Sequence, residues 1–267
     1  MIQLSTLLLL MTFSLSAFSI SNEEFDKLIS DIQTKDFKSI ESYIKTNKGS
    51  KDPEYYVLLL NYSYSKGKSS QLVLGSGDPE EGDLSLQSEE TGKTSGFLGE
   101  RVTYNKELII SGIKESKSAL KKFPQRLDIH LGIVAISSRI KEWELVGDQL
   151  VTVLKVSGEI DNKWTWGRIG SMQGEPEEFM IQSILSNTYA FFRLNNEIGD
   201  NELEKVSKAL IQYYPNKIYG YANMGTLYMA KKDYKKAEKY YKKALTIDNT
   251  DEIILSNLEH LKKLRSQ

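Results

Sequence analysis

The sequence predicts an all-α fold of about five antiparallel helix pairs and a C-terminal capping helix, with a small β-hairpin inserted between two of the helices. Apolar residues recur at helical spacing over nearly the whole chain after residue 20. A turn of lysine, acidic residue and aromatic residue occurs three times, starting at Lys35, Lys141 and Lys232. The stretch 67–103 breaks the helical period and is rich in Gly and Ser. Recurrent helix pairs indicate a repeat array, an α-solenoid.

The N-terminal segment has the anatomy of a secretory signal. Residues 4–15 form an apolar run, and Ala17 and Ser19 place small residues three and one positions before a cut that would leave Ile20 as the new terminus. We therefore expect residues 1–19 to be a signal peptide and the protein to be exported, periplasmic or secreted. The alternative is an uncleaved segment, residues 4–20, that anchors the chain to a membrane.

Helix pairs are expected along the rest of the chain, in two regions. The first region, 20–157, carries degenerate repeats, and the second, 176–267, carries more regular ones. The expected pairs are 23–33 with 36–47, 52–66 with 104–123, 126–140 with 142–156, 176–196 with 199–214, and 217–231 with 234–247. Residues 251–264 form an amphipathic segment that would seal the end of the stack.

Two segments interrupt the helical pattern. Within 67–103, residues 83–88 and 96–102 alternate in polarity around a turn candidate, which predicts a β-hairpin. The turn contains Gly92-Lys93-Thr94, the tail of a phosphate-binding loop, but Gln87 stands where that loop needs a glycine. Residues 158–175 contain Trp164, Trp166 and several glycines, which predicts a long ordered loop. Its tryptophans either pack against the helices or contact a partner.

Small and aromatic residues near the C-terminus follow a characteristic spacing. Residues of matching type run in the order Tyr221, Met224, Gly225, Tyr228, Ala237, Tyr241, Ala244 and Asn249. This order resembles the tetratricopeptide repeat, with Asn249 in place of its terminal proline. The resemblance is strong over 218–251, moderate over 199–217 and weak before about 157. The whole chain is similar to exported bacterial tetratricopeptide-repeat proteins of undefined role.

The resemblance implies a right-handed array whose concave face, lined by the first helix of each pair, binds an extended peptide or a partner helix. Carried over position by position, it implies a groove lined by Tyr219, Ala222, Thr226 and Met229, with Thr188, Phe192 and Asn195 from the preceding pair. These side chains suggest an apolar, uncharged surface without the Lys and Asn clamp that some members use to hold a carboxylate. Apolar contacts with a protein partner would fit such a surface.

Composition restricts the chemistry that the chain can perform. It has no cysteine, two histidines and a formal net charge of −1. Thiolate chemistry and cysteine zinc sites are excluded, and there is no overall attraction to nucleic acid. The sequence predicts no catalytic residue, no metal site and no cofactor.

Three functions follow from these observations. The first is an exported, non-enzymatic scaffold that binds a protein or peptide through its groove. The second is an assembly factor that an uncleaved N-terminal segment holds at a membrane. The third is an enzyme whose site lies at the β-insert and the Trp-containing loop. The sequence defines neither the partner nor the oligomeric state.

Overall fold

The computed structural model describes residues 19–89 and 91–266. The described residues are mostly helical, with a small sheet. The helices are α1 (Asn22–Thr34), α2 (Lys38–Thr46), α3 (Pro53–Gly67), α4 (Lys106–Ala119), α5 (Leu127–Arg139), α6 (Trp143–Glu159), α7 (Pro176–Leu194), α8 (Glu197–Tyr213), α9 (Tyr219–Ala230), α10 (Tyr234–Leu245) and α11 (Glu252–Arg265). The strands are β1 (Lys68–Gly75), β2 (Leu84–Gln87), β3 (Thr94–Tyr104), β4 (Thr165–Trp166) and β5 (Gly170–Ser171).

The expected helix pairs are all present, with boundaries within a few residues of the predicted ones. Each helix packs against its partner: α1 on α2, α3 on α4, α5 on α6, α7 on α8 and α9 on α10. Later pairs also pack on earlier ones, through α6 with α8 and α8 with α9. The prediction of a helical array is therefore confirmed. The predicted signal segment lies outside the described residues except for Ser19.

The three lysine-initiated turns share one backbone conformation. Lys35, Lys141 and Lys232 have φ values of 61°, 60° and 59°, in the left-handed region. The next amide donates in each case to the carbonyl five residues earlier: Asp36 to Asp31, Glu142 to Ser137 and Asp233 to Tyr228, all at 2.9 Å. This is the Schellman arrangement that ends a helix and satisfies its last carbonyls. The turn that recurs in the sequence thus forms the same helix-ending structure each time.

Side chains fix the start of many helices. Ser21, Asp52, Asn105, Asn196, Asp233 and Asp251 each accept a hydrogen bond from a backbone amide in the first turn of the following helix. Such caps satisfy amides that have no partner within the helix. The starts of these six helices are therefore encoded by residues adjacent in sequence.

The β-insert contains three strands rather than the two that were predicted. β2 and β3 form the predicted hairpin, and Gly92 lies in its turn with a φ of 65°. The prediction missed β1, which pairs antiparallel with β3 from Lys68 opposite Tyr104 to Gly75 opposite Phe97. β3 is therefore the central strand. The missed strand starts with polar residues and exposes its leucines, so it lacks the buried face that normally reveals a strand.

The Trp-containing loop is shorter and more ordered than predicted. α6 continues to Glu159, and β4 pairs with β5 around a 3-10 turn at Gly167–Ile169. The loop also connects to α5, because the amide of Thr165 donates to the carbonyl of Gln125 at 2.8 Å.

The largest hydrophobic core spans α5 to α9, and smaller cores lie at the two ends of the chain. At the C-terminal end, α11 packs on α10 and buries Ile254 and Leu261 against Tyr241 and its neighbours. These contacts place α11 at the end of the chain's last helix pair, where the sequence predicts a capping helix. No helix within residues 19–89 and 91–266 has the length and apolar character needed to cross a lipid bilayer.

Candidate functional site

A pocket of about 450 Å³ opens between α7, α9 and the start of α11. Its wall is mainly apolar and aromatic. The lining residues are Leu185, Thr188, Tyr189, Phe192, Leu203, Ile218, Tyr219, Ala222, Asn223, Thr226, Asp251, Ile253 and Ile254. Tyr189, Phe192 and Ile253 are exposed at its edge. A concave apolar site of this volume can enclose one or two large side chains of a binding partner.

Five of the seven groove residues expected from the sequence line this pocket. Thr188 and Phe192 come from α7, and Tyr219, Ala222 and Thr226 from α9. They meet because both helices present residues three and four apart on the same side. The structure therefore brings these five side chains together, although their role in binding stays a prediction.

The other two expected groove residues do not line the pocket. Asn195 ends α7 with a φ of 48°, and its amide donates to the carbonyl of Phe192 at 3.3 Å. It terminates the helix, so it cannot continue the stripe of α7. Met229, near the end of α9, packs against the C-terminal core around Tyr241. Asn195 and Met229 therefore lie outside this pocket, and their role in binding stays a prediction.

Sequence reasoning missed the contribution of α11. Ile253 and Ile254 close one side of the pocket, while α11 was expected only to seal the stack. It also missed Leu185 and Tyr189, although their spacing from Thr188 and Phe192 places them on the same helical stripe. The α7 residues could have been found by extending that stripe. The α11 residues depend on tertiary packing.

The pocket is not uncharged, contrary to the prediction. Asp251 lines it and caps α11, accepting a hydrogen bond from the amide of Ile254 at 2.8 Å. Asn223 also lines it, and within the described residues its buried Nδ2 has no hydrogen-bond partner. The threonine hydroxyls are already bonded: Thr188 donates to the carbonyl of Leu185, and Thr226 to that of Ala222. Asn223 therefore carries a buried donor beside the pocket that no described residue satisfies.

A second, shallower pocket lies between α5 and α7. It is lined by Leu131, Val134, Ala135, Ser138, Arg139, Ser183, Ser186 and Asn187. Both pockets are thus formed between first helices of neighbouring pairs: α5 with α7 here, and α7 with α9 in the larger one. First helices contribute to the wall of both pockets, and α11 with Leu203 of α8 completes the wall of the larger one.

Trp164 is not available to a partner. Its side chain is only 2% exposed and packs edge-on against His130, with ring centroids 5.7 Å apart. Trp166 is half-buried and meets Phe179 edge-on at 5.4 Å. The hypothesis that Trp164 contacts a ligand is therefore wrong, because the loop folds it into the core beneath α5. Both tryptophans fasten the loop to the helices.

His130 belongs to this buried cluster. One ring nitrogen, Nε2, lies 3.0 Å from the carbonyl of Pro124, and the other, Nδ1, lies 2.6 Å from Nε2 of Gln149. A neutral ring that donates from Nε2 and accepts at Nδ1 satisfies both contacts. Burial lowers the pKa of His130 to about 4. The ring is thus neutral near pH 7 and acts as a packed hydrogen-bonding residue.

The β-insert exposes an apolar face. Leu72, Leu74, Leu84, Leu86 and Val102 are all exposed. Their register places them on one side of the sheet, because Leu74 and Leu84 both pair with Leu98, and Leu86 pairs with Gly96. Contiguous apolar surface of this kind is unusual on a monomer and commonly marks contact with another molecule.

Metal coordination has little support in the part of the chain that the structure describes. There, no group of three or more His, Asp or Glu residues is arranged to hold a metal ion. Arg126, Glu54 and Asp128 form a cluster of buried charges that are already paired, at 2.9 and 2.7 Å.

Comparison with known proteins gives one family. Residues 218–251, which span α9, α10 and the first capping residue of α11, match the tetratricopeptide repeat. No curated protein matches the chain. Repeats of this family generally mediate protein–protein interaction and are typically not enzymatic. The matched repeat supplies α9, one wall of the large pocket.

Proposed function

Because residues 218–251 match the tetratricopeptide repeat, we propose that this chain is a non-enzymatic scaffold that holds a protein or peptide partner in the pocket between α7, α9 and α11. The observation that carries the proposal is the position of the pocket. It lies on first helices, and one wall is the repeat that matches the family. We further propose that the pairs form a right-handed array with this surface on its concave side.

The residues of the pocket wall indicate the chemical character of the segment that the pocket would bind. Its apolar wall favours a segment with a large aliphatic or aromatic side chain, which would bury apolar surface worth about 25 cal/mol per Å². Asp251 disfavours a terminal carboxylate through like charge. The ligand is thus an internal apolar segment of a protein rather than a free C-terminus.

Peptide display on the purified protein tests this proposal. Peptides are selected from a random library, and their affinities are measured by isothermal titration calorimetry. We expect a shared large apolar residue and affinities in the micromolar range. Replacing Phe192 and Ile253 by Ser should weaken binding at least about tenfold, since about 1.4 kcal/mol is enough for that change.

The chain offers a matched control for the pocket variant. Ile169 in the 3-10 turn is 78% exposed and Ile253 is 73% exposed, so Ile169→Ser removes a similar side chain outside the pocket. This variant should bind the selected peptides as the unchanged protein does. Equal binding by the pocket variant and the control, or failure to select any peptide, would overturn the proposal.

Crosslinking in the native host tests whether the same surface is used by a natural partner. A photo-crosslinking amino acid at Thr226 lies in the pocket wall, whereas one at Lys155 lies on an exposed part of α6. The protein captured from position 226 should be displaced by the selected peptide. A protein that resists the peptide, or that is captured equally from position 155, would contradict binding in the pocket.

We also propose that the scaffold acts outside the cytoplasm, after export directed by the apolar run of residues 4–15. The second candidate, an assembly factor anchored by residues 4–20, rests on the same run and differs only in cleavage. Intact mass and detergent fractionation of protein expressed in the host separate the two. A mass that includes Met1, recovered only with detergent, would favour the anchor.

The enzyme alternative, with a site at the β-insert and the Trp-containing loop, stays a hypothesis. Burial of Trp164 removes that side chain from such a site.

A further inference from the structure

Ile20 is held by a buried carboxylate. Its backbone nitrogen lies 2.8 Å from Oδ2 of Asp52, although 32 residues separate them in the chain. Both residues are buried, whereas the neighbouring Ser19 is exposed. The other oxygen of Asp52 accepts the amide of Glu54 and so caps α3. The position at which the sequence places a cut is therefore also the position at which the chain enters the folded core.

The surroundings of Asp52 are rich in negative charge. Glu54 and Asp128 flank Arg126, whose guanidinium lies 2.9 Å from one and 2.7 Å from the other. Burial raises the pKa of Glu54, the charge of Arg126 lowers it, and the charges of Asp128 and Asp52 raise it again. Two carboxylates thus share one buried guanidinium, and Asp52 lies close enough to Glu54 for its charge to raise the pKa of that residue. A carboxylate in such a site is stabilised by a further cation at hydrogen-bond distance.

We propose that removal of residues 1–19 makes Ile20 the N-terminus of the mature protein, and that its α-ammonium forms a buried ion pair with Asp52. The proposal rests on the proposed export. Water adds across the Ser19–Ile20 peptide bond in a host signal peptidase: the carbonyl carbon of Ser19 gains the hydroxyl and becomes a carboxylate. The nitrogen of Ile20 gains protons and becomes an ammonium. A neutral amide facing Asp52 is thereby converted into a cation.

The order of events follows from burial. The Ser19–Ile20 peptide bond adjoins Ile20, which is buried in the folded protein. A peptidase would not reach this bond after folding. Cleavage therefore precedes folding, as it does when a signal peptide is removed during export. Folding then inserts the new terminus beside Asp52. A chain that keeps residues 1–19 would have only a neutral donor there.

A second contact fastens the same residue to a distant part of the chain. Arg168, in the 3-10 turn of the Trp-containing loop, donates to the carbonyl of Ile20 at 3.0 Å and to that of Ser21 at 3.1 Å. Its guanidinium also lies over the ring of Phe25, 5.2 Å from the centroid. The mature terminus would therefore connect α1, the cap of α3 and the loop before α7. Cleavage would stabilise contacts that span most of the chain.

Charged and titratable groups surround the new ammonium on several elements. Asp52 and Glu54 come from the start of α3, Arg126 and Asp128 from the start of α5, Arg168 from the loop, and Tyr43 and Glu24 from the first helix pair. Burial together with the charges of Asp52, Glu24 and Glu54 raises the pKa of Tyr43 to about 12, so it stays neutral. Arg168 opposes the ammonium, while the carboxylates favour it.

The experiment compares two N-terminal residues, Ile20 and Ser19, each in a chain with Asp52 and in one with Asp52→Asn. A fusion cut directly before Ile20 gives a chain of residues 20–267, and a cut one residue earlier gives 19–267, in which the Ile20 nitrogen remains an amide. Each is made with Asp52 and with Asp52→Asn, which keeps an oxygen able to cap α3. Melting temperature is measured for all four at low ionic strength and pH 7.

We expect the chain starting at Ile20 to melt about 3 °C or more above the chain starting at Ser19. The difference should disappear with Asp52→Asn. Asp52 should raise the pKa of the Ile20 amine above the usual 7.7 to 8.0 of an α-amine. The advantage is then complete below the ordinary pKa and is lost as pH rises through the raised one. Equal melting of the two chains, or an advantage that persists in Asp52→Asn, overturns the ion pair.

The second test of the proposal is the intact mass of the protein that the host secretes, which shows where the chain is cut. A mass starting at Ile20 supports the processing site, and a mass starting at any other residue overturns it. Neither the melting temperatures nor the intact mass depends on peptide binding in the pocket. Failure of this inference with normal binding in the pocket is therefore distinguishable from failure of the scaffold proposal.

Discussion

Gly225 lies directly against the ring of Tyr241: a Cβ built on the glycine would stand 2.5 Å from two of the ring carbons. The contact joins α9 to α10 within the tetratricopeptide repeat, and Tyr241 is fully buried. The Tyr241 hydroxyl lies 3.1 Å from the hydroxyl of Thr226, which lines the large pocket. The closest approach of the two helices thus also supports the pocket wall.

The first prediction concerns this contact. Gly225→Ala should destabilise the protein by about 2 kcal/mol, because the added methyl group cannot fit beside the buried ring and overpacking costs about 1–3 kcal/mol. This cost exceeds the gain of up to about 1 kcal/mol that alanine brings to a helix interior. Urea unfolding followed by circular dichroism measures the change.

Gly158→Ala is the matched control. Gly158 also lies in a helix, α6, but the nearest atom to an added Cβ is 4.0 Å away, on Tyr213. The alanine should therefore leave stability unchanged or raise it slightly. Similar effects at Gly158 and Gly225 would show that helix propensity, rather than the Tyr241 contact, governs both sites.

The second prediction concerns the buried ion pairs of Arg126. Arg126→Met leaves Glu54 and Asp128 without their cation in a buried site, which should cost about 3–5 kcal/mol. Adding Glu54→Gln should recover part of that loss, because one of the stranded charges is removed. Thermal and urea unfolding of the single and double variants measure the coupling.

An exposed ion pair provides the comparison for Arg126. Lys155 and Glu159 are paired on α6 with their side chains 62% and 57% exposed. Lys155→Ala should change stability by no more than about 0.5 kcal/mol, as exposed pairs do. A loss at Lys155 as large as that at Arg126 would mean that burial does not set the energetics of these pairs.

The third prediction concerns the exposed leucines of the β-insert. Leu72 and Leu74 are 78% and 72% exposed on one face of β1, so replacing both by Thr removes little buried surface. Threonine also suits a strand. The melting temperature should stay within about 2 °C, while binding of a hydrophobic fluorescent dye should fall clearly.

Val73→Thr serves as the control on the same strand, since Val73 points to the opposite face of the sheet. It should leave dye binding unchanged. A large fall in melting temperature for the Leu72 and Leu74 variant would show instead that these leucines are part of a packed core.

The helices could be predicted because their signals are local. Apolar spacing locates each helix, and the turns at Lys35, Lys141 and Lys232 mark three helix ends by residue type alone. Five residues of the pocket wall had been expected from the resemblance to the tetratricopeptide repeat. The chain therefore specifies its array through interactions between residues close in sequence.

Three features that the sequence did not predict depend on tertiary contacts, which no local pattern contains. Ile253 reaches the pocket only because α11 folds back over α10. Trp164 is buried because its loop returns to α5, where the amide of Thr165 meets Gln125. β1 escaped prediction because its pairing with β3 uses backbone groups while Leu72 and Leu74 stay exposed. These three errors arose where distant segments meet.

The last prediction concerns the pH dependence of stability. Burial, with a smaller effect from the charge of Lys117, lowers the pKa of His130 from 6.5 to about 4. The unfolded chain therefore takes up a proton between these values while the folded chain does not. Stability from this residue is complete above pH 6.5 and is lost progressively as pH falls towards 4, by up to about 3 kcal/mol.

His130→Gln should remove this dependence, because glutamine does not titrate and can still bond to Gln149. Its stability at pH 7 should be lower, since the ring contact with Trp164 is lost. The decisive quantity is the difference in unfolding free energy between the two proteins, measured by urea unfolding from pH 7 to pH 4.5. That difference should shrink as pH falls. If it stays constant, proton uptake by His130 on unfolding does not contribute to the pH dependence of stability. A buried, neutral His130 ring would then be ruled out.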